Sequence, residues 1–308
     1  MAGSIFDDLQ RQGEPDLSGF QWLDLRHAVE QAPEPLDFVL PGFKSGTVGA
    51  LVSPGATGKT MLALQAAVTV SGGPDMLDFA SMDTAWRRTA GRVVFLTGED
   101  PADVLNGRFH AIGQRLNPAE REAMFENLSV APLVGRGADV MTFEWRRWIA
   151  GVTRDARLVV IDTLRRFHQL DENDGGHMAG LLAYMEQLCR ENSTTVLFLH
   201  HTSKAGALNG GDAQQASRGS SVLTDNARFQ ANLVGMTPEQ AKQFDVDENC
   251  RRNFVRLSFP KINYSAPIPD QWFRRRDGGL LEPAVLERGT FKSAKTGSFQ
   301  KGGDDERW

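Results

Sequence analysis

Ser53-Pro54-Gly55-Ala56-Thr57-Gly58-Lys59-Thr60 decides the fold of this chain, because it joins an apolar run to a helical pattern. Ahead of it, Thr47-Val48-Gly49-Ala50-Leu51-Val52 reads as a short buried strand. Behind it, Met61, Leu62, Leu64, Val68 and Val70 populate a mostly apolar helix stopped by Gly72-Gly73. A strand, a small-residue loop and a helix in that order are the context of a nucleotide-binding P-loop. Small residues let successive backbone N–H groups turn inward around a β-phosphate at a helix N-terminus. Lys59 then reaches the β/γ oxygens and the Thr60 hydroxyl is placed to ligate Mg²⁺. The usual pattern has Gly where this chain has Ser53, which makes the opening of the loop less permissive.

Outward from the loop, strand and helix signals alternate between Leu36 and about Leu286. The strand Arg92–Leu96 is followed by a helix through Arg108 and the strand Leu128–Leu133. Next come a Trp-rich helix over Phe143–Val152, the strand Leu158–Ile161, a helix over Met178–Arg190 and the strand Thr195–Leu199. Strands apolar throughout suit a parallel sheet covered on both faces. Asn253–Phe259 alternates, and Gln271–Arg276, Asp277-Gly278-Gly279 and Leu280-Leu281 read as a closing hairpin, so the far edge is expected to be antiparallel. The expectation is therefore α/β: a mostly parallel twisted sheet with helices on both faces and an antiparallel edge. Residues 1–35 read as an N-terminal arm with one short helix around Leu23–Gln31, residues 36–287 as the ATPase domain, and residues 288–308 as a flexible tail without apolar periodicity.

Three strand ends supply the remaining candidate chemistry. Leu158–Ile161 ends in Asp162-Thr163, and a carboxylate at the C-terminal end of a buried strand is where a P-loop protein holds Mg²⁺ and its water shell. Arg92–Leu96 ends in Gly98-Glu99-Asp100-Pro101. Asp100 before Pro101 reads as a helix N-cap with Pro at the first helical position, whereas Glu99 has no such structural reason and is the candidate for orienting and deprotonating the attacking water. In the blander reading both carboxylates simply cap the helix. Thr195–Leu199 runs into His200-His201, where alternation turns one ring toward the γ-phosphate; His201 is the candidate sensor, against an ordinary satisfied histidine.

Taken together, these residues resemble a RecA-type ATPase rather than a nucleotide kinase. A closer resemblance, from about Pro35 to Glu287, is to the RepA-type hexameric replicative DNA helicases of IncQ-type plasmids. It is carried also by Ile161-Asp162-Thr163-Leu164-Arg165-Arg166-Phe167-His168, Gln214-Gln215-Ala216-Ser217-Arg218-Gly219-Ser220-Ser221-Val222-Leu223, Lys261-x-Asn263-Tyr264 and Trp272-Phe273-Arg274-Arg275. The resemblance implies a RecA-like P-loop NTPase core, ATP and Mg²⁺ as ligands, and a homohexamer with ATP sites at subunit interfaces. It also implies movement along single-stranded DNA, with a plasmid replication initiator or primase as a partner. Residue by residue it implies Lys59 and Thr60 at the phosphates, Asp162 at Mg²⁺, Glu99 as base and His201 as sensor. It adds Arg228 as an arginine finger reaching a neighbouring subunit, and Tyr264 against the nucleotide base, where core packing is the alternative. The longer N-terminal arm, the segment near Met82–Ala90 and the C-terminal tail depart from it. The rival class is a RecA- or KaiC-like nucleotide-gated binding protein that assembles on DNA or a partner without unwinding.

Bulk composition bounds these readings. A chain of 308 residues can bury a full core, and a net charge of −5 (34 basic against 39 acidic) rules out an all-over polycation for nucleic acid. Any DNA contact must then be local, in the loops after Asp162 and His201, which carry Arg165, Arg166 and Lys204 but also Asp171, Glu172, Asp174 and Asp212. Cys189 and Cys250 lie too far apart in sequence for a metal or disulfide framework, and no apolar run reaches membrane-spanning length, so a cytoplasmic protein without membrane contact is expected.

Overall fold

The computed structural model describes residues 22–201 and 221–287. Lys204, Asp212, the stretch 214–220 and the tail from 288 lie outside the described residues. The chain divides into two compact units, residues 1–36 and 37–308. In the first, helix α1 (Leu25–Glu30) starts at Asp24, whose carboxylate accepts from the His27 amide at 3.0 Å.

In the second unit β1 (Phe38–Leu40) and β2 (Phe43–Lys44) pair as a small hairpin. The strands that follow are β3 (Val48–Ser53), β4 (Val93–Thr97), β5 (Leu128–Pro132), β6 (Leu158–Asp162), β7 (Val196–His201), β8 (Phe229–Gly235), β9 (Phe254–Ile262), β10 (Gln271–Arg275) and β11 (Leu281–Ala284). They form one nine-stranded sheet in the order β11-β10-β9-β8-β3-β7-β6-β4-β5. Pairing is parallel from β8 through β5 and antiparallel across β8-β9-β10-β11, as the alternating end of the sequence implied.

The apolar strands alternate between two cores. Leu51, Val93, Phe95, Leu158, Val160, Leu197 and Leu199 face the helices α2 (Lys59–Val70), α4 (Ala102–Gly113) and α5 (Pro118–Asn127), after the short α3 (Phe79–Met82). Val52, Val94, Leu96, Val159, Ile161, Val196 and Phe198 face α6 (Phe143–Thr153) and α7 (Gly175–Asn192). Each such side chain taken out of water contributes about 1.5–3 kcal/mol, which is why these strands carry no polar face. Gly49 permits a closer contact: a Cβ there would come within 2.8 Å of both the Phe43 and Phe229 rings, which stack at 4.6 Å. That stack fastens the β1–β2 hairpin to the sheet.

The boundaries depart from expectation for local reasons. The helix expected from Met178 begins at Gly175, because Asp174 caps it by accepting from the His177 amide at 3.0 Å. Helix α5 was not foreseen, although Asn117 and Glu120 form a reciprocal capping box with Pro118 at its first position. Strand β8 was missed too. Gln230 and Asn232 interrupt its apolar run, yet both are buried and bond to each other at 2.8 Å, while Phe229, Ala231 and Leu233 line the core.

Candidate active site

Parallel register places the functional ends together. Ser53 pairs with His201 and Thr97 with Asp162, so the C-terminal ends of β3, β7, β6 and β4 lie side by side along one edge of the sheet. This is the crevice where open α/β sheets bind ligands.

The P-loop runs from the end of β3 to the first turn of α2. The Ser53 and Thr57 hydroxyls both donate to the Pro54 carbonyl at 2.9 Å, fixing the loop entry at the position that departs from the usual glycine. Gly55 and Ala56 are exposed, and a Cβ on Gly55 would meet nothing within 4 Å, so the concavity is open for phosphate oxygens. Ala56 and Gly58 have φ of 62° and 100°, the left-handed turns that aim consecutive N–H groups inward. Lys59 opens α2, is 5% exposed, and lies 3.4 Å from Asp162 Oδ1. The Thr60 hydroxyl is in hydrogen-bond contact with the same carboxylate.

Asp162 is fully buried, and burial raises its carboxyl pKa against the opposing charge of Lys59. Its Oδ2 is buried without a hydrogen-bond partner. An orphaned carboxylate oxygen beside a threonine hydroxyl is the donor set a hard divalent cation requires, so these residues fit Mg²⁺.

Glu99 stands beside this pair. Its Oε1 accepts from Thr163 Oγ1 at 3.0 Å, and it lies 3.5 Å from His201 Nε2 and 3.9 Å from Arg166 Nε. His201 is partly exposed toward Glu99. His200 is buried, and burial together with the nearby His201, His168 and Lys59 pushes its pKa down to about 4. Asp100 departs from expectation: Pro101 occupies the cap position of α4 and Asp100 pairs with Arg108 at 2.9 Å, because Pro101 keeps an extended backbone instead of entering the helix.

Arg228 and Tyr264 are not brought to this edge. Arg228 is exposed immediately before β8, whose start pairs with the start of β3, and its carbonyl accepts from the Asn263 amide at 3.3 Å. Tyr264 follows, 39% exposed. The length of β3, six residues at about 3.3 Å each, separates both from their own P-loop.

Arg275 reaches the loop directly. Its guanidinium donates to the Thr57 carbonyl at 2.6 Å, tying the β10–β11 hairpin to the P-loop. A pocket of about 500 Å³ opens beside this contact, lined by Arg115, Asn253, Arg274, Arg275, Arg276, Asp277 and Glu282. The closing hairpin was legible in sequence, but its attachment to the loop was not, because no local spacing relates Arg275 to Thr57.

A family model described as an AAA domain matches residues 14–207. The chain belongs to that family. The match spans the P-loop, Glu99, Asp162 and His201, and ends before β8. Among solved structures, an ATPase domain solved on its own aligns with a TM-score of 0.51 and 15% identity, over 92% of this chain and 100% of that one. A DnaB-like replicative helicase, solved with its interactions with primase, aligns with a TM-score of 0.55 and 15% identity, over 90% of this chain and 70% of that one. At such identity the likeness is one of fold, and it extends through the antiparallel strands that the family match does not reach. This AAA-domain chain has the RecA-like P-loop architecture of helicase ATPase domains. Among its described residues no helix is long and apolar enough to cross a membrane.

Proposed function

We propose that this chain is the subunit of a homohexameric DNA helicase that hydrolyses ATP as it moves on single-stranded DNA. The observation that carries the reading is the division of the site between two edges of one sheet. Lys59, Thr60, Asp162, Glu99 and His201 gather at one edge, while Arg228 and Tyr264 sit together at the other. A P-loop on one edge and an arginine with an aromatic ring on the opposite edge complete each other when subunits stack edge to edge around a ring.

In that assembly the P-loop amides and Lys59 hold the β- and γ-phosphates, and the arginine-lined pocket beside Arg275 takes the nucleoside half. Mg²⁺ would be held by the Thr60 hydroxyl and the Asp162 carboxylate, and supplies charge neutralisation at the phosphates. Glu99 orients a water and accepts its proton, with Thr163 fixing the carboxylate. His201, in contact with Glu99, reports whether the γ-phosphate is present. Arg228 of the neighbouring subunit stabilises charge on the transferring phosphoryl group, and Tyr264 of that neighbour approaches the base.

The fold shared with a helicase solved with primase makes primase, or a plasmid replication initiator, the loading partner to test first. The assembly itself is tested by native mass measurement with ATP and single-stranded DNA. A six-subunit species bound to the strand is expected; a monomer under those conditions refutes the ring.

A further inference from the structure

We propose that Arg166 is the residue through which single-stranded DNA releases Glu99 for catalysis. The inference rests on the ATPase reading above.

Arg166 lies on the short 3-10 turn Leu164–Phe167 that directly follows Asp162 and Thr163. The body of this turn is fixed. Leu164 and Phe167 are fully buried, the Arg166 amide donates to the Thr163 carbonyl at 2.9 Å, and the Phe167 carbonyl accepts from Val140 at 2.8 Å. The stem of Arg166 is pressed onto the end of β4: a Cβ at Gly98 would fall 2.5 Å from the Arg166 Cβ, so only glycine admits the approach. The tip is held differently. Its guanidinium stops 3.9 Å from Glu99 Oε1, beyond hydrogen-bond length, and the side chain is 62% exposed. Beside it Arg165 is 55% exposed and loosely held, 4.0 Å from Glu172 and at long hydrogen-bond distance from the His168 and Leu170 carbonyls.

Two adjacent arginines with fixed stems and weakly held tips suit a phosphodiester backbone, because guanidinium offers paired donors to phosphate oxygens. A screened surface pair at 3.9 Å is a weak competitor for such a ligand. The consequence reaches the reaction through one atom. The contacts of Thr163, His201 and Arg166 all fall on Glu99 Oε1. An arginine there favours the ionised carboxylate and opposes its taking a proton. In hydrolysis the water oxygen bonds to the γ-phosphorus, the bond from that phosphorus to the β,γ-bridging oxygen breaks, and the water's proton passes to Glu99. Drawing Arg166 onto a DNA phosphate removes the opposing charge at that moment. Binding of the strand and acceptance of the proton are thereby joined by a single side chain.

The test measures steady-state ATP turnover of the full chain with and without oligothymidylate, for wild type, Arg166→Ala and Arg166→Lys. Wild type should be stimulated by the strand. Arg166→Ala should turn over faster without DNA, on the order of tenfold, with KM for ATP little changed and the ratio of stimulated to unstimulated rate near unity. Arg166→Lys should restore part of the stimulation, and the salt dependence of DNA binding should fall by about one phosphate contact in the alanine variant. Loss of stimulation with an unchanged DNA-free rate would make Arg166 a DNA ligand only and overturn the coupling. So would turnover in the wild type that ignores the strand. Absence of any wild-type turnover would instead defeat the ATPase reading itself.

Discussion

The Arg228 carbonyl accepts a hydrogen bond from the Asn263 amide at 3.3 Å, which sets Arg228 and Tyr264 side by side on the sheet edge opposite the P-loop. Within one chain neither serves the loop, so any role of Arg228 in hydrolysis falls on a neighbour. Removing an arginine that stabilises the transferring phosphoryl group costs about 10³–10⁵-fold in rate, so Arg228→Ala should bind ATP and barely hydrolyse it. Mixing it with Lys59→Ala subunits should recover turnover, because a Lys59→Ala neighbour still offers Arg228 to an intact P-loop. Mixed rings as inactive as either parent would remove Arg228 from the site.

Glu99 and Asp100 are adjacent in sequence but differ in surroundings: Glu99 meets Thr163 and His201, Asp100 pairs with Arg108. Glu99→Gln should therefore keep nucleotide binding and lose turnover by about 10²-fold or more, whereas Asp100→Asn should leave most of it. Single-turnover hydrolysis beside a nucleotide-binding titration separates the two. The reverse pattern would move the base to Asp100.

Arg275 links the last hairpin to the P-loop through the Thr57 carbonyl at 2.6 Å. A hydrogen bond from a charged donor contributes about 1.5–3 kcal/mol, so Arg275→Ala should weaken nucleotide binding by at least roughly tenfold. Fluorescent-nucleotide titration checks this. Unchanged affinity would mean that the loop keeps its shape without the hairpin.

Acid should destabilise the fold through His200. Its folded-state pKa of about 4 lies below the ordinary 6.5, so the unfolded chain takes the proton first. The stability this group contributes is complete above about pH 6.5 and is lost as pH falls toward about 4, about 3 kcal/mol in all. His168, also lowered by burial, acts in the same direction. Denaturant melts from about pH 7 to about pH 4.5 should show a steeper loss in wild type than in His200→Gln. Equal slopes would contradict the assignment.

Much of the site was legible because strand ends are. An apolar run ending in Asp162, Glu99 or His201 fixes a side chain at the C-terminal edge of a parallel strand, and parallel strands next to a P-loop share that edge. What was not legible depends on contacts distant in sequence. Thr163 meets Glu99 and Arg166 packs on Gly98 only once β4 and β6 pair. Strand β8 was hidden because Gln230 and Asn232 satisfy each other inside the sheet, a pairing that polarity alone does not announce. The string from Gln214, which carries much of the resemblance to plasmid helicases, lies largely outside the described residues.

Strand displacement on a forked duplex tests the central claim most directly. With ATP and Mg²⁺ the wild-type chain should release the labelled strand from a substrate with a free single-stranded tail, and Lys59→Ala should release none. ATP turnover and strand binding without displacement by the wild type would contradict the helicase assignment and leave a nucleotide-gated DNA-binding ATPase in its place.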